Sequence, residues 1–481
     1  MAWVVVVVAV AYAVAACLIG AYAVAQAQLL ALALRHRPGP APAPVAGDEL
    51  PMVTVQLPLF NEPAVADRLI QRVSELDWPR HRLEVQVLDD STDQTVEIVA
   101  AAVRRARANG VDVLHVRRGD RAGFKAGALA HGLVTARGDF VAIFDADFLP
   151  EPDFLRRALQ AFDEDIGLVQ GRWGWLNPRA SALTRVQTLH LDAHFTIEQQ
   201  ARSSSGLFVG FNGTAGVWRR AAIEDAGGWS ADSLTEDLDL SFRAQLAGWR
   251  VSYVDGLEAP SELPESFDAI RSQQHRWMKG GAQVGRKLLA AVWAAELPRR
   301  VRLQASAQLL GSSVFVAVVG LCVLAPLVAP LHVVEPTLVN WTIGPSTLAL
   351  NLCLVVFAAL YLTTCVRRAG KVREGVLRFV WDFPIFMTLS IGMCLHNAAA
   401  ALEGWRGLQS GFVRTPKKGF GGSAPSSARR ASWLPRGELA LGGYNVAAAA
   451  FSLSHGYLVG SLFLLLQGVG LATVGLLGLR R

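Results

Sequence analysis

The stretch "DFVAIFDAD", residues 139–147, decides how the polar part of this chain is read. Five apolar residues, Phe140 to Phe144, are followed by Asp145 and Asp147 at i and i+2. A short apolar run of this kind reads as a buried strand. Two similar runs precede it, "MVTVQLPLF" (52–60) and "LEVQVLD" (83–89). Helix-patterned stretches lie between them, "ADRLIQRVSEL" (66–76) and "QTVEIVAAAVRRARA" (94–108). Strands alternating with helices give an α/β domain over residues 51–303, with a parallel sheet and βαβ crossovers. Ligands of such sheets sit beyond the carboxyl ends of the strands, where Asp145 and Asp147 fall.

The rest of the chain reads differently. Of 481 residues, 52% are hydrophobic and 18% charged, a mixture that fits a protein partly in a membrane. Residues 2–34 are almost uninterrupted Ala, Val, Leu and Tyr, with no charge before Arg35. About 20 apolar residues suffice to span a bilayer, so 1–34 reads as an uncleaved membrane helix. "RHR" at 35–37 puts its end in the cytosol by the positive-inside rule, and 35–50 reads as a Pro/Ala linker. Residues 304–401 return to membrane character. Spans are expected at 306–328 and 345–365. The run 376–401, broken by Asp382, Pro384, His396 and Asn397, is read as re-entrant or interfacial. A basic cytosolic loop, 402–437, follows with seven Lys/Arg, then a hairpin of two spans in 438–481. That makes five full spans and one interfacial segment.

The net charge of +6 lies largely beside the apolar segments. It therefore reads as membrane orientation, and nucleic acid is not an expected partner. The five cysteines, Cys17, Cys322, Cys353, Cys365 and Cys394, all lie in or beside apolar runs. Their spacing matches neither a zinc site nor a disulfide framework.

Several polar clusters can carry chemistry, and each has a plainer reading. A lone DxD is more often a solvated turn, but after a buried strand it can hold Mg²⁺ or Mn²⁺ together with phosphate oxygens. In "DDSTD" (89–93), Asp89 or Asp90 could accept hydrogen bonds from a base or ribose, while Asp93 reads as a helix cap. "RAGFKAGAL" (121–129) sets Lys125 among glycines, where it can approach a diphosphate. "SLTEDLDL" (233–240) holds Glu236 and Asp237; such a pair can supply a general base or simply favour a helix N-terminus. "FNGTAG" (211–216) is a small-residue loop that lets a ligand come close to backbone, or a tight turn. In "QQHRWMKGG" (273–281), Gln273 and Arg276 share one helix face and can grip a phosphate, and Trp277 offers a plate for a sugar. An interfacial anchor explains Trp277 alone, but not the three together.

In this order, "NE", "DDSTD", "FKAGAL", "DAD", "FNGTAG", "TED" and "QQHRW" resemble the family-two processive glycosyltransferases of the cellulose-synthase-like superfamily. The wordings "QVLDDSTD", "GFNGTAGVWRRAAIEDAGGW" and "ELPESFDAIRSQQHRW" look most like its mannan and glucomannan synthases. The resemblance implies a GT-A-type, Rossmann-like catalytic domain joined to a transmembrane bundle in the plasma (inner) membrane, with the catalytic domain cytosolic. It implies that Glu62 and Asp89 or Asp90 contact the nucleoside and Lys125 the diphosphate. Asp145 assists nucleotide and metal binding, and Asp147 ligates Mg²⁺ or Mn²⁺. Asp237, beside Glu236, is the general base. Gln273 and Arg276 hold the pyrophosphate, Trp277 stacks on the acceptor sugar, and Asn212 and Gly213 shape the acceptor pocket. "FVRTPKKG" (412–419) is similar to the family's gating loop, with Phe412, Thr415 and Lys417 at matching places. The implied activity is an inverting polymerisation of a β-1,4-linked glycan from GDP-mannose or UDP-glucose. Export of the growing glycan across the bilayer is implied with it, with room for an accessory subunit. The competing expectation is transfer of a single sugar to a lipid.

Overall fold

The computed structural model describes residues 2–409, apart from six positions between 37 and 48, and residues 433–479. Phe412, Thr415 and Lys417 lie outside the described residues.

The polar domain is built on a seven-stranded sheet. Its strands are β1 (Val53–Leu59), β2 (Leu83–Asp89), β3 (Asp112–Val116), β4 (Phe140–Ile143), β5 (Ile166–Trp175), β6 (Gly216–Arg219) and β7 (Arg250–Ser261). They lie in the order β3-β2-β1-β4-β6-β5-β7. All four residues of β4 are buried, as a central strand with helices on both faces requires. One face packs Val55 and Leu57 against Leu69, Ile70 and Val99; the other packs Val141 and Ile143 against Leu129 and Trp218.

The sheet is not wholly parallel, which corrects the sequence expectation. β6 runs antiparallel to both β4 and β5, while β1–β2, β1–β4, β2–β3 and β5–β7 are parallel pairs. β6 has only four residues and follows directly on "FNGTA", so its periodicity is too short to read. Its direction matters. Ile143 pairs with Gly216, so the residues leaving β4 meet the residues entering β6. The Ala215 amide donates to the Ile143 carbonyl at 2.9 Å and the Asp145 amide to Thr214 Oγ1 at 2.9 Å.

Among the described residues, five helices are long and apolar enough to cross a membrane: Trp3–Arg35, Gly311–Val334, Gly344–Ala369, Val372–Gly392 and Leu458–Leu479. The stretch 376–401, read as one interfacial segment, falls in two helices, Val372–Gly392 and Cys394–Trp405. The first reaches spanning length and apolarity. Leu434–Ser454, whose opening turns carry Arg436 and Glu438, is outside that group of five. Small residues let these helices meet: a Cβ on Gly470 would stand 2.5 Å from the Thr388 carbonyl oxygen.

Between sheet and membrane helices lies the helix Phe267–Ala294, which carries "QQHRW". Ser266 caps it, accepting from the Ala269 amide at 3.3 Å. Salt bridges join it to the helices on either side of the segment 410–432. Arg271 pairs with Glu438 at 3.0 Å, and Lys279 with Glu403 at 3.0 Å.

Candidate active site

The carboxyl ends of β1, β2, β4, β5 and β7 open on one rim, together with the entry to β6. A cavity of about 210 Å³ lies there. Its wall includes Glu62, Asp90, Lys125, Asp145, Asp147, Asn212, Gly213, Glu236, Asp237, Gln273, Arg276 and Trp277. Residues scattered over more than 200 positions of sequence thus share one space.

Lys125 sits at the centre. It stands in the first turn of helix Phe124–Thr135, after Gly123, whose φ of 72° lets the chain turn into the helix. Its ammonium lies 2.6 Å from Asp145, 2.9 Å from the Gly213 carbonyl and 3.7 Å from Glu236. Burial pulls its pKa down, but Asp145, Glu236 and Asp237 outweigh this and hold it above the ordinary lysine value.

Glu236 and Asp237 open the helix Glu236–Leu246, where the helix dipole favours negative charge. Asp237 also accepts from the Leu238 amide at 2.8 Å. Burial, then the adjacent Glu236, nevertheless push the Asp237 carboxyl up to about 7. Burial likewise raises Glu236, with Lys125 opposing it. A carboxyl tuned near neutrality is suited to take a proton at physiological pH.

The helix Phe267–Ala294 closes the site from the membrane side. It approaches the site closely at Gly280: a Cβ there would stand 2.5 Å from Thr235 Cγ2 and 3.0 Å from the Thr235 amide nitrogen. One turn further on, Gln283 accepts from the Leu234 amide at 2.9 Å. The "TED" turn is therefore hung on the helix that presents Gln273, Arg276 and Trp277. Burial lowers the Arg276 guanidinium to about 10, and Glu236 and Asp145 hold it there, so it stays charged at neutral pH.

The structure places Asp89 and Asp90 differently. Asp90 lines the cavity and is gripped by Arg118, whose Nε lies 2.9 Å away. Asp89, the last residue of β2, points inward with 1% of its surface exposed, bonded to the Ser91 amide at 2.9 Å and to His115 at 2.8 Å. It stands behind the wall and braces the turn that carries Asp90.

Four aromatic residues of the wall escaped the sequence reading: Phe60, Phe148, Trp173 and Trp175. Phe60 lies 3.3 Å beneath the Arg121 guanidinium, a cation–π contact at the Asp90 end of the cavity. The two Trp residues alternate on β5, a signal visible in "GRWGW" once that run is recognised as a strand.

No cluster of three or more His, Cys, Asp or Glu able to hold a metal alone occurs among the described residues. Asp145 and Asp147 supply two hard oxygen donors on one turn. That set fits Mg²⁺ or Mn²⁺ when substrate phosphates complete the shell.

Residues 51–280 match the family described as "Glycosyltransferase like family 2". Over 408 residues the chain is 37% identical to glucomannan 4-beta-mannosyltransferase 2 of Arabidopsis thaliana, covering 82% of this chain and 72% of that relative. The chain belongs to glycosyltransferase family 2. Within the family this glycosyltransferase has cellulose-synthase-like, glucomannan-mannosyltransferase relatives. Glucomannan 4-beta-mannosyltransferase 1 of Oryza sativa subsp. japonica is 47% identical over 248 residues, 50% of this chain and 48% of its own. Among solved structures, the mannosyltransferase PcManGT from Pyrobaculum calidifontis matches with a TM-score of 0.50 at 22% identity, over 76% of this chain and 99% of that one. This likeness establishes the GT-A-like fold.

Proposed function

We propose that this membrane glycosyltransferase polymerises β-1,4-linked mannosyl units from GDP-mannose by an inverting, processive mechanism. The single observation that carries the reading is the meeting of Asp237, with its pKa near 7, with Lys125, Arg276 and Trp277 around one cavity. The relatives named as mannosyltransferases favour a mannosyl donor over a glucosyl one, and the GDP-Man bound to PcManGT favours GDP as its nucleotide. PcManGT, solved with GDP-Man and Mn²⁺, supports a divalent cation.

In this reading Lys125, Gln273 and Arg276 hold the diphosphate, and Glu62 and Asp90 face the nucleoside. Trp277 stacks on the terminal sugar of the acceptor. Asp237 takes the proton of the acceptor 4-hydroxyl as that oxygen attacks the anomeric carbon. The bond to the diphosphate breaks on the opposite face, and the α-linked donor becomes a β-linkage. A divalent cation held by Asp145 and Asp147 would neutralise charge on the leaving diphosphate. Arg276→Lys keeps the charge and loses the fork, so kcat/KM for GDP-mannose is expected to fall about 100-fold. Inhibition by free GDP should weaken in parallel, measured as its inhibition constant.

The proposal includes export. A second cavity, about 740 Å³, runs among the membrane helices, and Gln274 and Met278 of the "QQHRW" helix line its near end. Tyr12, Thr347 and Tyr457 line it elsewhere. A glycan leaving Trp277 would find this space next. The same reading puts the catalytic domain in the cytosol and the protein in the plasma (inner) membrane, with an accessory subunit as an export partner.

Membranes containing the protein, given radiolabelled GDP-mannose or UDP-glucose with Mg²⁺ or Mn²⁺, test this. β-Mannanase-sensitive polymer from GDP-mannose is expected. Polymer from UDP-glucose alone would overturn the donor, and a chloroform-soluble monosaccharide product would overturn polymerisation.

A further inference from the structure

Asn212, on the cavity wall beside Gly213, is fixed by a directional chain of hydrogen bonds. Gly210 offers a carbonyl oxygen, which only accepts, and Gln199 Nε2 donates to it at 2.7 Å. The same Nε2 donates to Asn212 Oδ1 at 2.7 Å, which fixes the amide's orientation. Asn212 Nδ2 then faces His194 Nε2 at 2.9 Å. An amide nitrogen only donates, so His194 Nε2 is the acceptor and its proton resides on Nδ1. That Nδ1–H donates to Glu198 at 3.1 Å, and Arg202 donates to Glu198 at 3.2 Å. The Asn212 backbone amide is held as well, by Gln170 Oε1 at 3.0 Å.

The segment bearing His194 is unusual. Residues His194–Gln199 form a π-helical turn continuing the helix Ala182–Ala193. Such turns are rare and recur at functional sites. Here the wider turn lets His194, Glu198 and Gln199 address one another and Asn212 together. Burial raises the Glu198 carboxyl, but Arg202 and the His194 bond outweigh it and bring its pKa to about 2, so the chain ends on a fixed anion. The preceding helix lines both cavities: Leu191 faces the catalytic one, and Leu183 and His190 face the membrane one.

We propose that His194 is a positioning residue for the acceptor: it fixes the Asn212 amide so that its second N–H points at a hydroxyl of the acceptor's terminal sugar. Asn212 and Asp237 line the same cavity, and Gly213, the residue after Asn212, lies against Asp237: a Cβ on it would stand 2.8 Å from Asp237 Oδ2. A sugar whose hydroxyl is presented to Asp237 brings a neighbouring hydroxyl to Asn212. The inference rests on the reading of this cavity as the transfer site. It adds that acceptor alignment is controlled from outside the motifs that bind the donor.

The test uses full-length protein in membranes and measures GDP released against mannose incorporated. A misaligned acceptor leaves the activated donor open to water, so this ratio rises, which a loss of folded protein does not produce. His194→Phe is expected to lower incorporation about tenfold, the scale of one lost hydrogen bond to substrate. The released-to-incorporated ratio should rise while the KM for GDP-mannose holds. His194→Gln, which can accept from Asn212 and donate to Glu198, should recover most of the loss. In an Asn212→Ala background, His194→Phe should cost nothing further. Equal cost in both backgrounds, or a loss without change in the ratio, would overturn the role. Absence of GDP-mannose turnover in the unsubstituted protein would instead overturn the donor reading.

Discussion

Asp237→Asn is expected to lower polymer formation by about 1000-fold, within the range that a positioned general base contributes. The substitution keeps shape and the bond from the Leu238 amide, and removes the charge and with it the ability to take a proton. Its effect on stability should run the other way. The folded-state pKa is near 7 against an ordinary 3.8. Between about pH 4 and pH 7 the folded protein therefore keeps a proton that the unfolded chain has lost. Stability falls as pH rises through that window, and the cost is complete above it. Asn carries no such charge, so at pH 8 the variant should melt no lower than the parent. An inactive variant with an unchanged or higher Tm in detergent would separate lost chemistry from lost fold. In the parent, kcat/KM should fall about tenfold per pH unit below pH 7, because only the ionised carboxylate is a base. A flat profile from pH 5 to 8 would argue against Asp237 as the base.

Gly213→Ala should be nearly as damaging although it adds one methyl group. The residue has φ of 84°, a region L side chains avoid, and its Cβ would fall 2.8 Å from Asp237 Oδ2 and 3.4 Å from Lys125 Nζ. Either the loop turns and withdraws the carbonyl that Lys125 uses, or Asp237 is pushed aside. A displacement of about 1 Å at a reacting group costs on the order of 100-fold in rate. If Asp237 is displaced, kcat falls while GDP affinity holds; if the Gly213 carbonyl leaves Lys125, GDP affinity falls with it, and kinetics alongside GDP binding separate the two. An Ala variant with parental kcat would mean that the loop has slack that its contacts do not suggest.

The polar domain was readable because its information is local. β1, β2 and β4 are apolar runs, and the carboxylates follow them directly. The gathering of Lys125, Asp145, Asp237 and Arg276 could be anticipated only through the order of the motifs, since no spacing rule brings residues 125 and 276 together. What escaped notice depends on long-range pairing. β6 is a strand because β4 and β5 flank it. Trp173 and Trp175 matter because β5 ends on the rim. Asp89 and Asp90 differ because the strand's alternation turns one inward, and nothing local says where the strand stops. In the membrane part, Pro384 reads as a break, yet Val372–Gly392 continues through it as one helix. Packing against neighbouring helices overrides the local preference, as it does for proline elsewhere in membranes.

The reversed direction of β6 has a consequence for how this enzyme can diversify. The loop 210–215 enters the rim from a different part of the chain than the Asp145–Asp147 turn, and the two are stitched by only a few bonds, such as that from the Asp145 amide to Thr214. One loop can therefore be exchanged without recutting the other. On the proposed role of Asn212 at the acceptor, a graft of 207–215 from a relative with another acceptor, keeping Thr214 and Gly213, is expected to change the preference for the growing end and leave the donor chemistry in place.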